Sequence, residues 1–468
     1  MFQDSYLFTN LDVKGPSRVA GEPFLILYRR AHFHLRFQGS SFTLSTPDNP
    51  TEAGRRTAFA ALRHRDFRLL WIGQFFSITG SQMQVVTINW HVYLLMRPYG
   101  EKAAAAALGL VGLVRVLPIV VCSLVGGVVA DAVDRKRLIL ITQAVMLACA
   151  AALALVTAAG LQRVWPIYVL TALSSAAIAF DNPARQALLP SLVPARDFPN
   201  AVSLGFVSFQ IALVAGPVLG GVVLARFGPA AVYAFNALSF LAVIAAVLLM
   251  RASGKGKAEE VARVSLDSLK EGLRFVWRTP IMVQTMSLDF VATFFASATA
   301  LLPIFARDVL DVGEHGYGVL AAASAFGAVL TGLLLARRGS EWRRPGLAVL
   351  VSVAVYGAAT VLFGLSRTYW LSLAMLALSG AADTVSTVIR QTIRQLITPD
   401  RLRGRMTSVN MIFFMGGPQL GELEAGLVAA AAGAPFSVVL GGVCCLVAVG
   451  VAGLRARELL RYRFAERG

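Results

Sequence analysis

Arg185-Gln186-Ala187-Leu188-Leu189-Pro190-Ser191-Leu192-Val193-Pro194-Ala195-Arg196 and Arg390-Gln391-Thr392-Ile393-Arg394-Gln395-Leu396-Ile397-Thr398-Pro399-Asp400-Arg401 carry the same punctuation 205 residues apart. The arginine–glutamine pair, the proline and the following arginine superpose, and the register continues outward. Ser203 falls on Ser408, Gly127 on Gly332, Gly216 on Gly421, Gly221 on Gly426 and Gly228 on Gly433, so one gap-free offset holds for about 100 residues. A repeat this long predicts a chain built from two related halves.

The solvent for those halves is set by composition. Of 468 residues 56% are hydrophobic and 15% charged, with a mean hydropathy of +0.66, more apolar surface than a water-soluble core requires. Stretches long enough to cross ~30 Å of hydrocarbon at 1.5 Å per residue recur from Phe67 to Gly453. They predict an all-α membrane protein with twelve spans: 67–95, 106–130, 138–160, 165–189, 200–225, 229–250, 281–305, 315–336, 346–366, 369–393, 406–430 and 434–454. The expected organisation is a polar, disordered extension over 1–54, a six-helix half over 55–250, a linker over 251–280, a second six-helix half over 281–454 and a basic tail over 455–468. In the linker Leu266, Leu269, Leu273 and Val276 share one helical face, which suits either a helix lying on the membrane surface or a plain connection.

A net charge of +17 would suggest nucleic acid in a soluble protein, but here the cations gather in alternate loops. Residues 55–68, the loops after spans 2, 4, 6, 8 and 10, and the tail hold most of the Lys and Arg. The opposite loops hold only Arg97, Lys102, Arg163, Arg226, Arg307 and Arg367. That asymmetry predicts a multi-pass plasma-membrane protein with both termini cytoplasmic and lipid rather than nucleic acid as its partner; the two-half scaffold adds a small molecule, and acids inside the spans add protons. The expected state is a monomer.

Charge inside a span is costly unless it faces a cavity or a partner, so intramembrane ionisable groups are the candidates for function. Asp289 lies nine residues past Pro280, ~13 Å into its helix, and is the first candidate for a proton carrier. Glu422 and Glu424 follow, about 200° apart around one helix, so at most one points squarely inward. Arg115 suits either an anionic solute or a structural contact. Asp383, Ser386, Thr387, Arg390 and Arg394 form one polar stripe, read as a cytoplasmic gate. Gln74, Ser77, Ser81 and Gln84 form another on the first span, suited to cavity lining or to bonds between helices. Cys122, Cys149, Cys444 and Cys445 lack metal or redox spacing, and the five histidines are scattered. With no metal-hydrolase or nucleotide-binding motif either, no cofactor, metal site or enzymatic activity is expected.

Gly127-Val128-Val129-Ala130-Asp131-Ala132-Val133-Asp134-Arg135-Lys136 resembles the loop motif G-x-x-x-D-x-x-x-R-K of the major facilitator superfamily. Ala132 and Asp134 replace its usual basic residue and glycine. The resemblance implies a cytoplasmic latch made by Gly127, Asp131 and Arg135. Gly216-Pro217-Val218-Leu219-Gly220-Gly221 looks like the core of the superfamily's exporter motif, with Ser203 and Ala212 where the longer pattern has glycines. Phe180-Asp181-Asn182-Pro183-Ala184-Arg185-Gln186, Thr398-Pro399-Asp400-Arg401-Leu402-Arg403-Gly404-Arg405 and Leu420-Gly421-Glu422-Leu423-Glu424-Ala425-Gly426 are similar to the enterobactin-exporter branch. That resemblance implies proton-driven export of a siderophore or similar amphiphile, with macrolide or multidrug efflux as the alternative.

Overall fold

The computed structural model describes residues 59–160, 163–252, 273–296, 299–338, 342, 344–399, 403–455 and 457–462. The expected extension over 1–54 and most of the linker, with Leu266 and Leu269, lie outside them. Helices account for nearly all of it: α1 Arg65–Met96, α2 Glu101–Ala132, α3 Arg135–Ala158 and α4 Trp165–Leu188. Phe198–Leu249 runs as 52 residues but breaks at Gly228 (φ 76°, ψ 178°), giving α5 over 198–227 and α6 over 229–249. There follow α7 Pro280–Phe295, α8 Gly313–Arg338, α9 Pro345–Leu365, α10 Tyr369–Ile397, α11 Arg403–Ala432 and α12 Ala434–Arg455.

Among the described residues, eight helical stretches are long and apolar enough to cross a membrane, the 52-residue run being one of them. The helices that fall short are α1, α4 and α11, which carry Gln74 and Gln84, Asp181 and Arg185, and Glu422 and Glu424 respectively. Span 7 departs from the expected single helix. α7 stops at Phe295, and the chain continues through the turn Thr299–Leu301, a short helix Leu302–Ile304 and the π-type turn Phe305–Val309. Pro303 lies in the first turn of the short helix, where its missing N–H is tolerated, and its ring keeps an unbroken helix from running through from α7.

The two ends of the bundle differ. At one, Gly100, Gly160, Gly228, Gly313 and Gly433 all take positive φ and allow turns of a few residues. Gly228 (φ 76°) and Gly433 (φ 93°) are repeat partners, so the offset matches a backbone conformation that only glycine adopts readily. The other end carries the basic connections.

Contacts between residues 65–249 and 280–455 follow two seams, α2 against α11 and α5 against α8. Both are crossings of bare backbone. A Cβ on Gly109 would lie 2.9 Å from Gly426 Cα, and one on Gly221 would lie 2.9 Å from Gly318 Cα and from the Glu314 carbonyl oxygen. Both crossings sit nearer the tight-turn end.

That end also holds the one buried apolar cluster that draws on both sets of helices among the described residues. It includes Met83, Trp90, Tyr93 and Leu108 from one set and Phe305, Tyr317, Phe363 and Val438 from the other. Trp90 stacks on Tyr317 at 5.0 Å, and Tyr317 Oη donates to the Val86 carbonyl at 3.0 Å. Towards the basic end each cluster is drawn from one set alone, Phe67, Ile139 and Val247 in one, Ile281, Val349 and Ile393 in another.

Candidate functional site

Arg390 is the centre of the charge cluster in the second set. Its side chain is 7% exposed, and its guanidinium forms an ion pair with Asp289 of α7. A second carboxylate, Asp383, lies 3.8 Å away and is 47% exposed. Arg390 Nε donates to the Ser386 carbonyl at 3.3 Å and Nη2 to Thr387 Oγ1 at 2.9 Å, which fixes the guanidinium plane. Four members of the α10 stripe and the α7 acid thus form one site, with Arg394 one turn further on and electrostatically coupled to both Arg390 and Asp289. A buried arginine shared by two carboxylates has a firm partner and a loose one, the arrangement in which a proton or a cation alters charge balance without leaving the arginine bare.

The repeat partner Arg185 is bound differently. It pairs with Asp181, one turn back on its own helix, and Asp181 also accepts from Thr142 Oγ1 at 2.7 Å and Gln143 Nε2 at 3.0 Å. Sequence reading took up Arg185 through the repeat but passed over Asp181, although the i, i+4 spacing signals the pair.

Glu422 occupies the α2–α11 seam. It is 7% exposed, accepts from Thr299 Oγ1 at 3.3 Å through Oε1, and its Oε2 has no hydrogen-bond partner among the described residues. A Cβ on Gly112 would lie 2.8 Å from Glu422 Cβ, so the glycine makes room for the acid. Arg115, half-buried on the same face of α2, donates through Nη2 to the Val85 carbonyl at 3.3 Å and lies in the field of Glu422, Tyr233 and Tyr317. Glu424 points away from Glu422 and is half-buried.

Between these sites, inside α7–α11, is a cavity of about 190 Å³ lined by Thr299, Ser324, Tyr356, Thr360, Ser379 and Asp383 with apolar neighbours. On α1, Gln84 is buried and accepts from Asn236 Nδ2 at 2.7 Å, which ties α1 to α6. Ser77 is buried, while Gln74 and Ser81 are half-buried.

In the loop motif, Arg135 Nη1 donates to the Ala187 carbonyl at the end of α4 at 2.8 Å, and Lys136 Nζ donates to the Met250 carbonyl at the end of α6 at 2.8 Å. Both cations thus satisfy helix C-termini. Asp134, where the family motif has glycine, caps α3 by accepting from Arg137 N at 3.1 Å. The side chain of Asp131 and the surroundings of Gly127 lie outside the described residues. In α5, Gly216 and Gly220 pack on α1 at Gln82 and Met83, Gly221 crosses α8, and the Pro217 carbonyl closes on Gly318.

Reasoning from sequence missed a clamp at the tight-turn end. Asp308 Oδ1 accepts from Tyr93 Oη at 2.9 Å and from Arg97 Nε and Nη2 at 3.1 and 3.0 Å, which joins the two sets of helices.

A family model described as a transmembrane secretion effector matches residues 56–461. The chain is 28% identical over 401 residues to the multidrug efflux pump Tap of Mycolicibacterium fortuitum, covering 82% of this chain and 95% of that protein. It is 26% identical over 395 residues to the enterobactin exporter EntS of Shigella boydii serotype 18, covering 82% and 92%. Among solved structures, the fold is similar to a bacterial homologue of the human lysosomal transporter Spinster in an inward-facing, unoccupied conformation. There the TM-score is 0.67 at 16% identity, covering 86% of this chain and 99% of that one. A bacterial homologue of the iron transporter ferroportin in an inward-facing state gives a TM-score of 0.62 at 14% identity, covering 85% and 99%.

Proposed function

The chain belongs to the transmembrane secretion effector family, a family of major facilitator transporters and not of enzymes, and from that premise we propose that it exports a siderophore or similar amphiphilic small molecule. In this reading twelve spans form two six-helix halves, with both termini and the basic loops cytoplasmic in the plasma membrane. The halves rock about the α2–α11 and α5–α8 seams to expose a midplane cavity alternately to each side. Arg115, Gln74, Ser77 and Ser81 face the solute, and Gly127, Asp131, Arg135, Asp383, Arg390 and Arg394 belong to the cytoplasmic gate. The carrier works as a monomer.

Export is driven by protons entering from outside, with Asp289, Glu422 and Glu424 as the acids that take them up. The observation that supports this most is the Asp289–Arg390 ion pair between α7 and α10, because protonating the acid removes an attraction between two helices and so biases one conformation over another. Enterobactin efflux from proteoliposomes under an imposed pH gradient tests it. Export that follows the gradient and is lost in Asp289→Asn supports the reading, and export indifferent to both overturns the coupling.

Efflux of drugs is the second reading, favoured by the 28% identity to Tap. Comparing metabolites secreted under iron limitation with and without the protein separates the two. Loss of a siderophore from the medium favours the first, and unchanged secretion with altered drug tolerance favours the second.

A further inference from the structure

We propose that the hydroxyl-lined cavity inside α7–α11 is a hydrated proton route that joins Glu422 at the α2–α11 seam to Asp383 beside Arg390. The inference rests on the proton-coupled reading above and adds a path to it.

Three observations carry it. Thr299 both lines the cavity and donates to Glu422 Oε1, while Asp383 lines the same cavity and lies 3.8 Å from Arg390. One space thus touches Asp383 and reaches Glu422 through Thr299. The wall between them supplies hydroxyls from three helices, Ser324 on α8, Tyr356 and Thr360 on α9 and Ser379 on α10; the last three donate to the Ala296, Tyr356 and Leu376 carbonyls and keep lone pairs that accept from water. A cavity of about 190 Å³ with that lining is polar and wide enough for several waters, each taking roughly 30 Å³ in the liquid. Glu422 Oε2, buried and without a partner among the described residues, is a free end at which such a chain begins or stops.

The transfer balances without a co-reactant. A proton leaves the Glu422 carboxyl for Thr299 or an adjacent water, each bridging water passes on one proton as it receives one while the wall hydroxyls accept hydrogen bonds from those waters, and the Asp383 carboxylate takes the last. Asp383 is the receiving acid because Asp289 holds Arg390 directly and Asp383 does not. Protonating Asp383 therefore leaves the ion pair intact, and only a second proton reaches Asp289. The charged and titratable groups around the route are Asp289 on α7, Tyr317 on α8, Tyr356 on α9, Asp383, Arg390 and Arg394 on α10, Glu422 and Glu424 on α11, Cys445 on α12, and Arg115 on α2. Arg115 sits near the Glu422 end and Arg390 near the Asp383 end, so each acid has a nearby cation to balance its charge after the proton has gone.

The test uses the full chain in lipid nanodiscs, with infrared difference spectroscopy of the protonated carboxyl bands after a jump from H2O to D2O. Glu422→Gln and Asp383→Asn assign the bands. Thr299→Val, which removes one hydroxyl at nearly constant volume, slows deuteration of the Glu422 band about tenfold, equivalent to roughly 1.4 kcal/mol on the barrier, and leaves the Asp383 band fast. Thr299→Ser restores the wild-type rate. Equal exchange rates in wild type and Thr299→Val overturn the route, as does slowing that Thr299→Ser fails to relieve. The readout needs no transported solute. Slowed exchange in a protein whose efflux ignores the pH gradient would therefore refute proton-driven export and keep the route, while gradient-driven efflux with unchanged exchange would do the reverse.

Discussion

Arg185 and Arg390 are the same residue in two copies of one repeat, yet they are held by different means. Arg185 is closed into its own neighbourhood by Asp181 on the same helix, with Thr142 and Gln143 of α3 completing the acid's shell. Arg390 reaches across to Asp289 on another helix and keeps a second, half-exposed carboxylate beside it. A pair within one helix survives any rigid-body motion of that helix. A pair between two helices is made or broken by such motion. The repeat thus carries an arginine that is held within one helix in one copy and between two helices in the other.

The largest effect should come from breaking the static pair. Arg185→Met leaves Asp181 buried beside two neutral donors, and about 3–5 kcal/mol of stability should be lost, read as a fall in the melting temperature of the purified protein. Asp181→Asn combined with Arg185→Met should recover most of that loss, because no bare charge then remains. Asp289→Asn should sharpen the contrast from the other side. Gradient-driven efflux should fall by at least about tenfold while the melting temperature changes less than in Arg185→Met, since Asp383 stays beside Arg390.

A smaller effect is expected at the clamp of the tight-turn end. Asp308→Asn removes a charged acceptor from Tyr93 and Arg97 and should favour opening at that end by about 1–2 kcal/mol, measured as faster maleimide labelling of a cysteine placed at Met83. The smallest concerns the basic end, where His64 Nε2 lies 2.8 Å from Asp197 Oδ2 and this contact holds the Asp197 carboxyl below the usual range. A depressed carboxyl stabilises the fold above the unfolded value of about 3.9 and loses that contribution as pH falls through its folded value. The melting-temperature difference between wild type and Asp197→Asn should therefore be present at about pH 5 and shrink below about pH 4.

Much of this was legible in the sequence because it is local or periodic. Glycines at a fixed offset marked an internal repeat in the sequence, and Gly228 and Gly433 proved to share a positive φ. Arg390 and Asp289 were each visible as charges in apolar stretches, but their pairing was not, since about 100 residues separate them and no periodicity relates α7 to α10. Thr299 and Tyr356 gave no signal at all. A hydroxyl in a membrane helix commonly bonds its own backbone, as Thr293 does to the Asp289 carbonyl, and only packing shows which hydroxyls do more. The repeat is also imperfect at the seams. The crossing glycines of α5 and α11, Gly221 and Gly426, keep the 205-residue offset, whereas Gly109 and Gly318 of α2 and α8 differ by 209, about one helical turn. The offset along the chain does not set which turns of two helices meet.

The apolar plug at the tight-turn end has a pharmacological side. Trp90, Tyr317 and their neighbours pack together and Asp308 is clamped between Tyr93 and Arg97, so among the described residues that face is closed by an apolar plug. On the orientation proposed above, a blocker of this pump has to cross the membrane first and lodge from the cytosol, so its potency in cells depends on how fast it permeates as well as on how well it fits.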